Sequence, residues 1–228
     1  MRALLTVLAL VALTGVASAD KPVQEVDQPT PVRCELTCIM YDWDFANDSH
    51  GFDPAICEDG GMAVWEYGTS NIAGAPGDVW GTVLMDDYVN NSGDGLIAPS
   101  FTVTASSNMI EVDHYFDIET NFDGGNVTVN GTVVTPESGY TATISTSTSY
   151  YAYCVDLEDG FTGHDAMWRT DCFDISEWMG QDVVVAFDFG SDSSVTYPGW
   201  YLAAVRVGGE GMTPTESATW SHIKSMFE

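Results

Sequence analysis

From residue 36 to residue 207 the chain alternates short apolar runs with polar bends rich in Gly, Asn and Asp. The clearest run is Asn108 to Glu119. Ile110, Val112, His114, Phe116 and Ile118 fall on one face by strict alternation, and Glu111, Asp113, Tyr115, Asp117 and Glu119 fall on the other. A period of two belongs to a strand with one buried face. Leu36 to Phe45, Met62 to Tyr67, Gly81 to Met85 and Leu96 to Val103 read as further strands. After a Gly-Gly turn over Asn121 to Gly125, Val127, Val129, Gly131 and Val133 alternate again. Tyr140 to Thr146 and Tyr150 to Val155 have the Thr and Tyr content that sheets favour. Gly160 to Thr170 reads as a loop, and Phe173 to Gly180 as one helical turn capped by Asp174. Asp182 to Gly190 and Gly199 to Val207 are two longer strands around the turn Asp192 to Pro198. Strands every ~10 residues with turn signals between them predict an all-β, antiparallel sandwich.

The ends differ from this pattern. Arg2, an apolar run from Ala3 to Val16, and Ala17-Ser18-Ala19 form a secretory signal peptide cut after Ala19. Its apolar run is shorter than the ~20 residues that span a bilayer, and no later segment approaches that length. No Cys stands at the cut, so a lipid anchor is not expected. The expected organisation is a signal peptide (1–19), an extended leader with Pro22, Pro29 and Pro31 (20–35), the sandwich (36–208), and a linker with a short C-terminal helix (209–228). Thr213-Pro214-Thr215-Glu216 has the form of a capping box, and Trp220, Ile223 and Phe227 follow at helical spacing. The stripe is expected to lie against the sandwich.

Export changes how the charge is read. Without Arg2, five basic residues face 34 acids, a net charge of −29. Such a surface repels nucleic acid and anionic membranes, whose recognition needs Lys and Arg. All five Cys (34, 38, 57, 154 and 172) lie in the exported part, where disulfides persist. Cys154 and Cys172 flank one excursion and are the expected first pair; Cys57 is expected to pair with Cys38 or Cys34. An odd thiol remains, open to self-association. The Cys34-x-x-x-Cys38 spacing has no second pair at ligand distance, which argues against zinc.

The bend between the strands at 81–85 and 96–103 gathers oxygens. Asp78, Asp87, Asn90 and Asp94 are the candidate ligands there for calcium, which takes ~6–8 oxygens. The polar face of 108–119 carries four carboxylates, which repel one another unless water or a cation separates them. For a ligand, the freer aromatics are Tyr88, Tyr150, Tyr151 and Trp168, in or near loops.

Five blocks carry a family resemblance: Trp65 to Thr69; Trp80 to Leu84 leading to Tyr88, Asn90 and Asn91; His114 to Gly125; Phe173 to Gly180; and Gly190 to Asp192 with Pro198 to Leu202. Together they resemble the MAM-like domain of immune inhibitor A-type secreted bacterial metallopeptidases, over about Tyr41 to Val207. The resemblance implies a jelly-roll-like sandwich, non-catalytic, often with calcium, that binds glycans or proteins. It also implies a cation role for Glu119 and Asp123. Where the family has two Asp after its Trp-Tyr-aliphatic segment, this chain has Ala203-Ala204, a departure that predicts a weakened cation site.

Catalytic motifs are missing from the sequence. No H-E-x-x-H supplies a metallopeptidase site, and His50, His114, His164 and His222 are scattered. No G-x-S-x-G elbow, P-loop or dinucleotide fingerprint occurs. With 34 acids, paired carboxylates arise by chance and indicate no glycosidase. The sequence therefore predicts a secreted, non-catalytic module for an extracellular glycan or protein, at the bacterial surface or released. The alternatives are a structural component of a matrix or surface layer, or an accessory subunit of a secreted protease.

Overall fold

The computed structural model describes residues 27–56, 62–146 and 154–210. The signal peptide, Cys57, Tyr150, Tyr151 and the C-terminal helix expected over 213–227 lie outside these residues. In chain order the strands are β1 (Leu36–Asp44), β2 (Asp53–Ile56), β3 (Trp65–Gly68), β4 (Val79–Thr82), β5 (Gly93–Ile97), β6 (Phe101–Thr102), β7 (Met109–Asp117), β8 (Gly124–Val129), β9 (Thr132–Val133), β10 (Ala142–Thr143), β11 (Asp159–Gly160), β12 (Arg169–Asp174), β13 (Asp182–Val183), β14 (Val185–Gly190) and β15 (Gly199–Glu210).

One sheet has six strands, ordered β12-β7-β15-β4-β3 with β1 also on β15; the facing sheet has five, ordered β2-β5-β14-β8-β9. Their ladders are antiparallel. Neighbours such as β5, β14 and β8 are far apart in sequence, so the chain crosses repeatedly between sheets, as a jelly-roll-like sandwich requires. The core between the sheets joins Ile110, Phe116 and Trp200 from one layer to Val127, Phe187 and Phe189 from the other. This is the apolar phase of each strand placed inward.

Three expected elements are corrected. The run Leu96 to Val103 is divided between β5 and β6, with Pro99 in the gap, because proline cannot donate to a ladder. Gly124 and Gly125 are not a turn; they open β8. A Cβ on Gly125 would lie 2.4 Å from the Trp200 ring, so glycine is there for close approach. The turn between β7 and β8 falls just before these two glycines, at Thr120–Phe122 with Asn121 at φ 67°, and a separate two-residue turn at Asn130-Gly131 (φ 51° and 77°) joins β8 to β9. At Phe173 to Gly180 only a 3-10 turn forms, over Ser176–Trp178, with Asp174 Oδ1 accepting from the Ser176 amide at 2.8 Å.

The disulfide expectation is overturned. Cys172 is bonded to Cys34, 138 residues away, and not to Cys154. Cys38, one of the two partners expected for Cys57, is free and exposed, and Cys34, the other, is bonded to Cys172, while Cys154 is disulfide-bonded. The Cys34 bridge also pins the leader against β12, where Met109 and Leu36 complete a small cluster. Gln28 adds a hydrogen bond to the Thr162 carbonyl at 3.2 Å.

The second face of β7 is covered and not solvated. Arg206 reaches Glu111 at 3.1 Å and Asp113 at 2.8 Å. Tyr115 packs with Val79, Leu84, Tyr201 and Ala203 in a satellite cluster outside the six-stranded sheet. Arg206 from β15 bonds both carboxylates and so relieves the repulsion between Glu111 and Asp113.

Candidate functional site

Three loops meet at one end of the sandwich: the bend after β7, the segment after β14, and residues 88–92 before β5. They bring Glu119, Asp123 and Asp192, all buried, so close that one ligand oxygen from each lies within 4.8 Å of the others. Asn121, at φ 67°, turns the β7–β8 bend, and its amide donates to Thr162 Oγ1 at 2.8 Å. The Asp192 amide donates to Asp123 Oδ1 at 2.6 Å. The Tyr88 hydroxyl donates to Asp123 Oδ2 at 2.7 Å and accepts from the Glu119 amide at 3.1 Å. The Asn91 amide donates to the Asp192 carbonyl at 2.7 Å, tying the third loop in.

Burial raises the Asp123 carboxyl to about 8, opposed by the bonds from the Asp192 amide and Tyr88 and reinforced by the charges of Asp192 and Glu119. Burial also pushes the Tyr88 hydroxyl well up, and the Asp123 charge adds to that rise. The donor set is three carboxylates in a buried pocket of hard oxygen atoms, the ligand type that calcium takes. It fits such a cation.

The quartet expected to bind calcium is dispersed. Asp94 is fully buried on the inward face of β5, where Oδ2 accepts from the Val64 amide at 2.9 Å and the Trp65 amide at 3.2 Å. Asp78 accepts from Thr69 Oγ1 at 2.6 Å, and Asp87 and Asn90 are exposed. Period two explains this: Asp94 shares its face with Leu96 and is drawn inside, away from the bend. Glu119 and Asp123 do come together, and the third carboxylate is Asp192, which the sequence reading had not singled out although it ends the Gly190-Ser191-Asp192 block. Ala203 and Ala204 are buried along β15, Ala203 in the satellite cluster.

Of the aromatic candidates, Tyr88 is core, stacked edge-on against Phe189, and unavailable to a ligand. Trp168 is half-buried on the outside of the six-stranded sheet, beside a recess of about 310 Å³ that Arg33, Pro76, Thr170 and Ala203 also line. The outer face of the five-stranded sheet carries a wider groove of about 540 Å³, with Asp156, Glu158 and Asp188 on its walls. Burial lifts Asp188 to about 6, against the pull of a hydrogen bond from Thr128.

A His-Asp-Arg network crosses the core, unread in the sequence beyond His114 facing inward. His114 Nδ1 accepts from Trp200 Nε1–H at 3.0 Å, and His114 Nε2 bonds Asp171 Oδ2 at 2.9 Å. Arg169 holds Asp171 through Nε (2.6 Å) and Nη2 (3.1 Å) and Asp165 through Nη1 (2.9 Å). Ser138 Oγ donates to Asp171 Oδ1 at 2.6 Å. The hydroxyl therefore sits on the carboxylate and not on the imidazole, whose two nitrogens are both engaged. A base for nucleophile activation is not assembled here. His164, in the loop before β12, is hydrogen-bonded to Asp117 and lies edge-on to Tyr197.

No protein-family model matches the chain. It is 25% identical over 143 residues to Bacillopeptidase F of Bacillus subtilis, a match covering 60% of this chain and 9% of that protein. It is 27% identical over 128 residues to the pre-pro-metalloprotease PrtV of Vibrio cholerae, covering 54% of this chain and 13% of that protein. Among solved structures, the K1 cleaved adhesin domain of Lys-gingipain from Porphyromonas gingivalis superposes with a TM-score of 0.43 at 16% identity, over 75% of this chain and 98% of that domain. A family 43 arabinoxylan arabinofuranohydrolase from Bacillus subtilis gives 0.34 at 12% identity, over 64% of this chain and 24% of the enzyme. The chain thus spans about a tenth of the length of the curated relatives it matches.

Proposed function

We propose that this chain is a non-catalytic, extracellular binding or accessory module of the kind carried by bacterial peptidases, held rigid at one end by calcium on Glu119, Asp123 and Asp192. The matches to stretches amounting to 9% and 13% of two peptidases, in a chain with no H-E-x-x-H, support the first part. The MAM-like resemblance points the same way, to an extracellular glycan or protein as partner. The observation that carries the second part is the convergence of three buried carboxylates from two loops, with a third loop tied to them through Tyr88 and Asn91. A cation supplies the positive charge that lets them ionise together, and the loops are then cross-linked through one centre.

Thermal melts in chelator and in millimolar calcium test this. A site of ~10 µM affinity at 1 mM calcium stabilises by about 2.7 kcal/mol. At ~2–4 °C per kcal/mol for a domain of this size, Tm rises by about 5–10 °C. Asp192→Asn should abolish that response. A melting curve indifferent to calcium removes the cation from the reading, and failure of labelled protein to bind any glycan, cell surface or peptidase removes the module.

A second reading, assembly into a matrix or surface layer, is favoured by the free, exposed Cys38 beside the exposed Ile39 and Met40 on β1. Non-reducing gels decide it: a ladder that collapses with reductant supports assembly, and a single monomer band opposes it.

A further inference from the structure

The recess beside Trp168 has two unlike walls. Trp168, Pro76 and Ala203 make the apolar one. The Trp168 ring is fixed, because Nε1–H donates to the Ala73 carbonyl at 3.2 Å and the ring packs on Tyr115 at 5.8 Å. Gly74, at φ 79°, turns the loop that covers the ring, and a Cβ there would stand in ordinary contact with it at 3.5 Å. The polar wall is a relay of oriented groups. Arg33 Nη2 donates to Thr170 Oγ1 at 2.9 Å, and Thr170 Oγ1 donates in turn to Asp113 Oδ1 at 2.5 Å. Arg33 keeps 69% of its side chain exposed, against 24% for Arg206 and 2% for Arg169. The three are the basic residues among those described, so the most exposed described cation of a strongly acidic chain stands at the mouth of this recess.

We infer that this recess is the ligand site of the module and takes one ring of a neutral pyranose glycan. The inference rests on the binding-module reading above. A pyranose has an apolar C–H face and a rim of hydroxyls, and the recess offers an aromatic wall and an Arg–Thr–Asp wall in matching positions. Rigid aromatic surface with a few fixed polar groups is the usual composition of such sites, and about 310 Å³ is at the small end of their ~300–1,000 Å³ range, which fits a single ring. Charge selects neutrality. Arg33 and Asp113 offset each other within the recess, so neither sign of ligand charge finds an unpaired partner there, and the long-range field of a chain of net charge −28 disfavours an anion.

The test is calorimetric or saturation-transfer NMR titration with methyl glycosides of glucose, galactose and mannose, with methyl glucuronide as the anionic control. At least one neutral glycoside should bind saturably in the millimolar range. Trp168→Ala should weaken it roughly tenfold, the loss of an aromatic contact. Arg33→Gln, at an exposed position that leaves the fold intact, should weaken it by roughly five- to tenfold as a charged donor is lost. Circular dichroism checks that Trp168→Ala folds. Absence of saturable binding, preference for the glucuronide, or binding unchanged in both variants overturns the site. If the protein then still binds a peptidase or a cell surface, the module reading survives while the recess does not; if it binds nothing, both fall.

Discussion

Replacing Asp171 with alanine removes the carboxylate on which His114, Arg169 and Ser138 converge inside the sandwich. Asp171 and His114 are fully buried, so water does not substitute for the lost acceptor. Arg169 retains Asp165 and the Pro29 carbonyl but loses its two bonds to Asp171, and the His114 Nε2–H loses its acceptor. Breaking a buried ion pair by removing one partner costs about 3–5 kcal/mol. At ~2–4 °C per kcal/mol, Tm falls by about 6–20 °C. Ser138→Ala leaves the charges paired and should cost about 1 kcal/mol. Urea unfolding with an unchanged slope measures both. A cost below about 1 kcal/mol for Asp171→Ala would refute the account of this network as a buried strut.

The same network has a pH signature of definite sign. Burial lowers the His114 pKa, while Asp171 pulls it upward and Arg169 adds to the lowering. Protonation would also put a hydrogen on Nδ1, which faces the Trp200 N–H donor. Unfolded histidine takes its proton near ~6.5. Below that pH the unfolded chain binds more protons than the folded one, so stability is complete above ~6.5 and falls by up to ~1.4 kcal/mol per pH unit as the pH drops. Burial alone would raise Asp171, but bonds from His114 and Arg169 hold it well below the usual carboxylate range, so it stays charged throughout this window. Asp165 is the other acid near the imidazole, and its charge raises the His114 pKa. Asp123 and Asp188, raised to about 8 and about 6, act in the opposite sense but cancel when wild type is compared with His114→Phe. The difference in stability between the two proteins should shrink as the pH falls below ~6.5, by no more than ~1.4 kcal/mol per pH unit. A difference that does not change with pH would show that His114 is not held neutral.

Two further predictions concern the scaffold. Peptide mapping without reduction should recover Cys34 joined to Cys172 and a single reactive thiol at Cys38; with 138 residues between the bridged positions, Cys34→Ser with Cys172→Ser should cost about 3–5 kcal/mol in unfolding free energy. Gly125→Ala, with its Cβ 2.4 Å from the Trp200 ring and 2.8 Å from the Asp188 carbonyl, should cost about 3 kcal/mol or more. Gly131→Ala meets nothing within 4 Å and is strained only by its φ of 77°, so it should cost about 1 kcal/mol. The order of those two melts checks that close approach, not turn geometry, explains Gly125.

The architecture was legible wherever one face of a strand is apolar. β7 falls within the run read for it, and β15 begins where its run begins and continues three residues past Val207, because period-two alternation fixes both their existence and their inward face. What the period cannot report is what covers the other face. Glu111 and Asp113 look identical in sequence whether water, a cation or Arg206 faces them, and the choice belongs to a strand 93 to 95 residues away. The disulfide was misread for a related reason. Proximity along the chain favoured Cys154 as the partner of Cys172, whereas the sheet order puts β12 at an edge where the segment before β1 arrives.

The candidate cation site separates two kinds of signal. Density of oxygens in one bend pointed to Asp78, Asp87, Asn90 and Asp94, and the fold scatters them, because an acidic residue on an inward strand position caps backbone amides instead of joining a loop. Glu119, Asp123 and Asp192 are dispersed over 74 positions and come together only because β8 and β14 are hydrogen-bonded neighbours, with Gly124 paired to Gly190. That register places the residues just before β8 beside those just after β14. A pairing of strands this remote is a property of the sheet, so the trio could be assembled only after topology was known; the short acidic blocks at Asp123-Gly124-Gly125 and Gly190-Ser191-Asp192 were its sole trace in the sequence. The same reasoning predicts where a substitution would dissolve the site without touching a ligand. A side chain at Gly124, whose Cβ would lie 2.6 Å from Ile144 and 2.8 Å from the Phe161 carbonyl, must displace the start of β8 or the segments carrying those two residues, and Asp123 is the next residue along the chain.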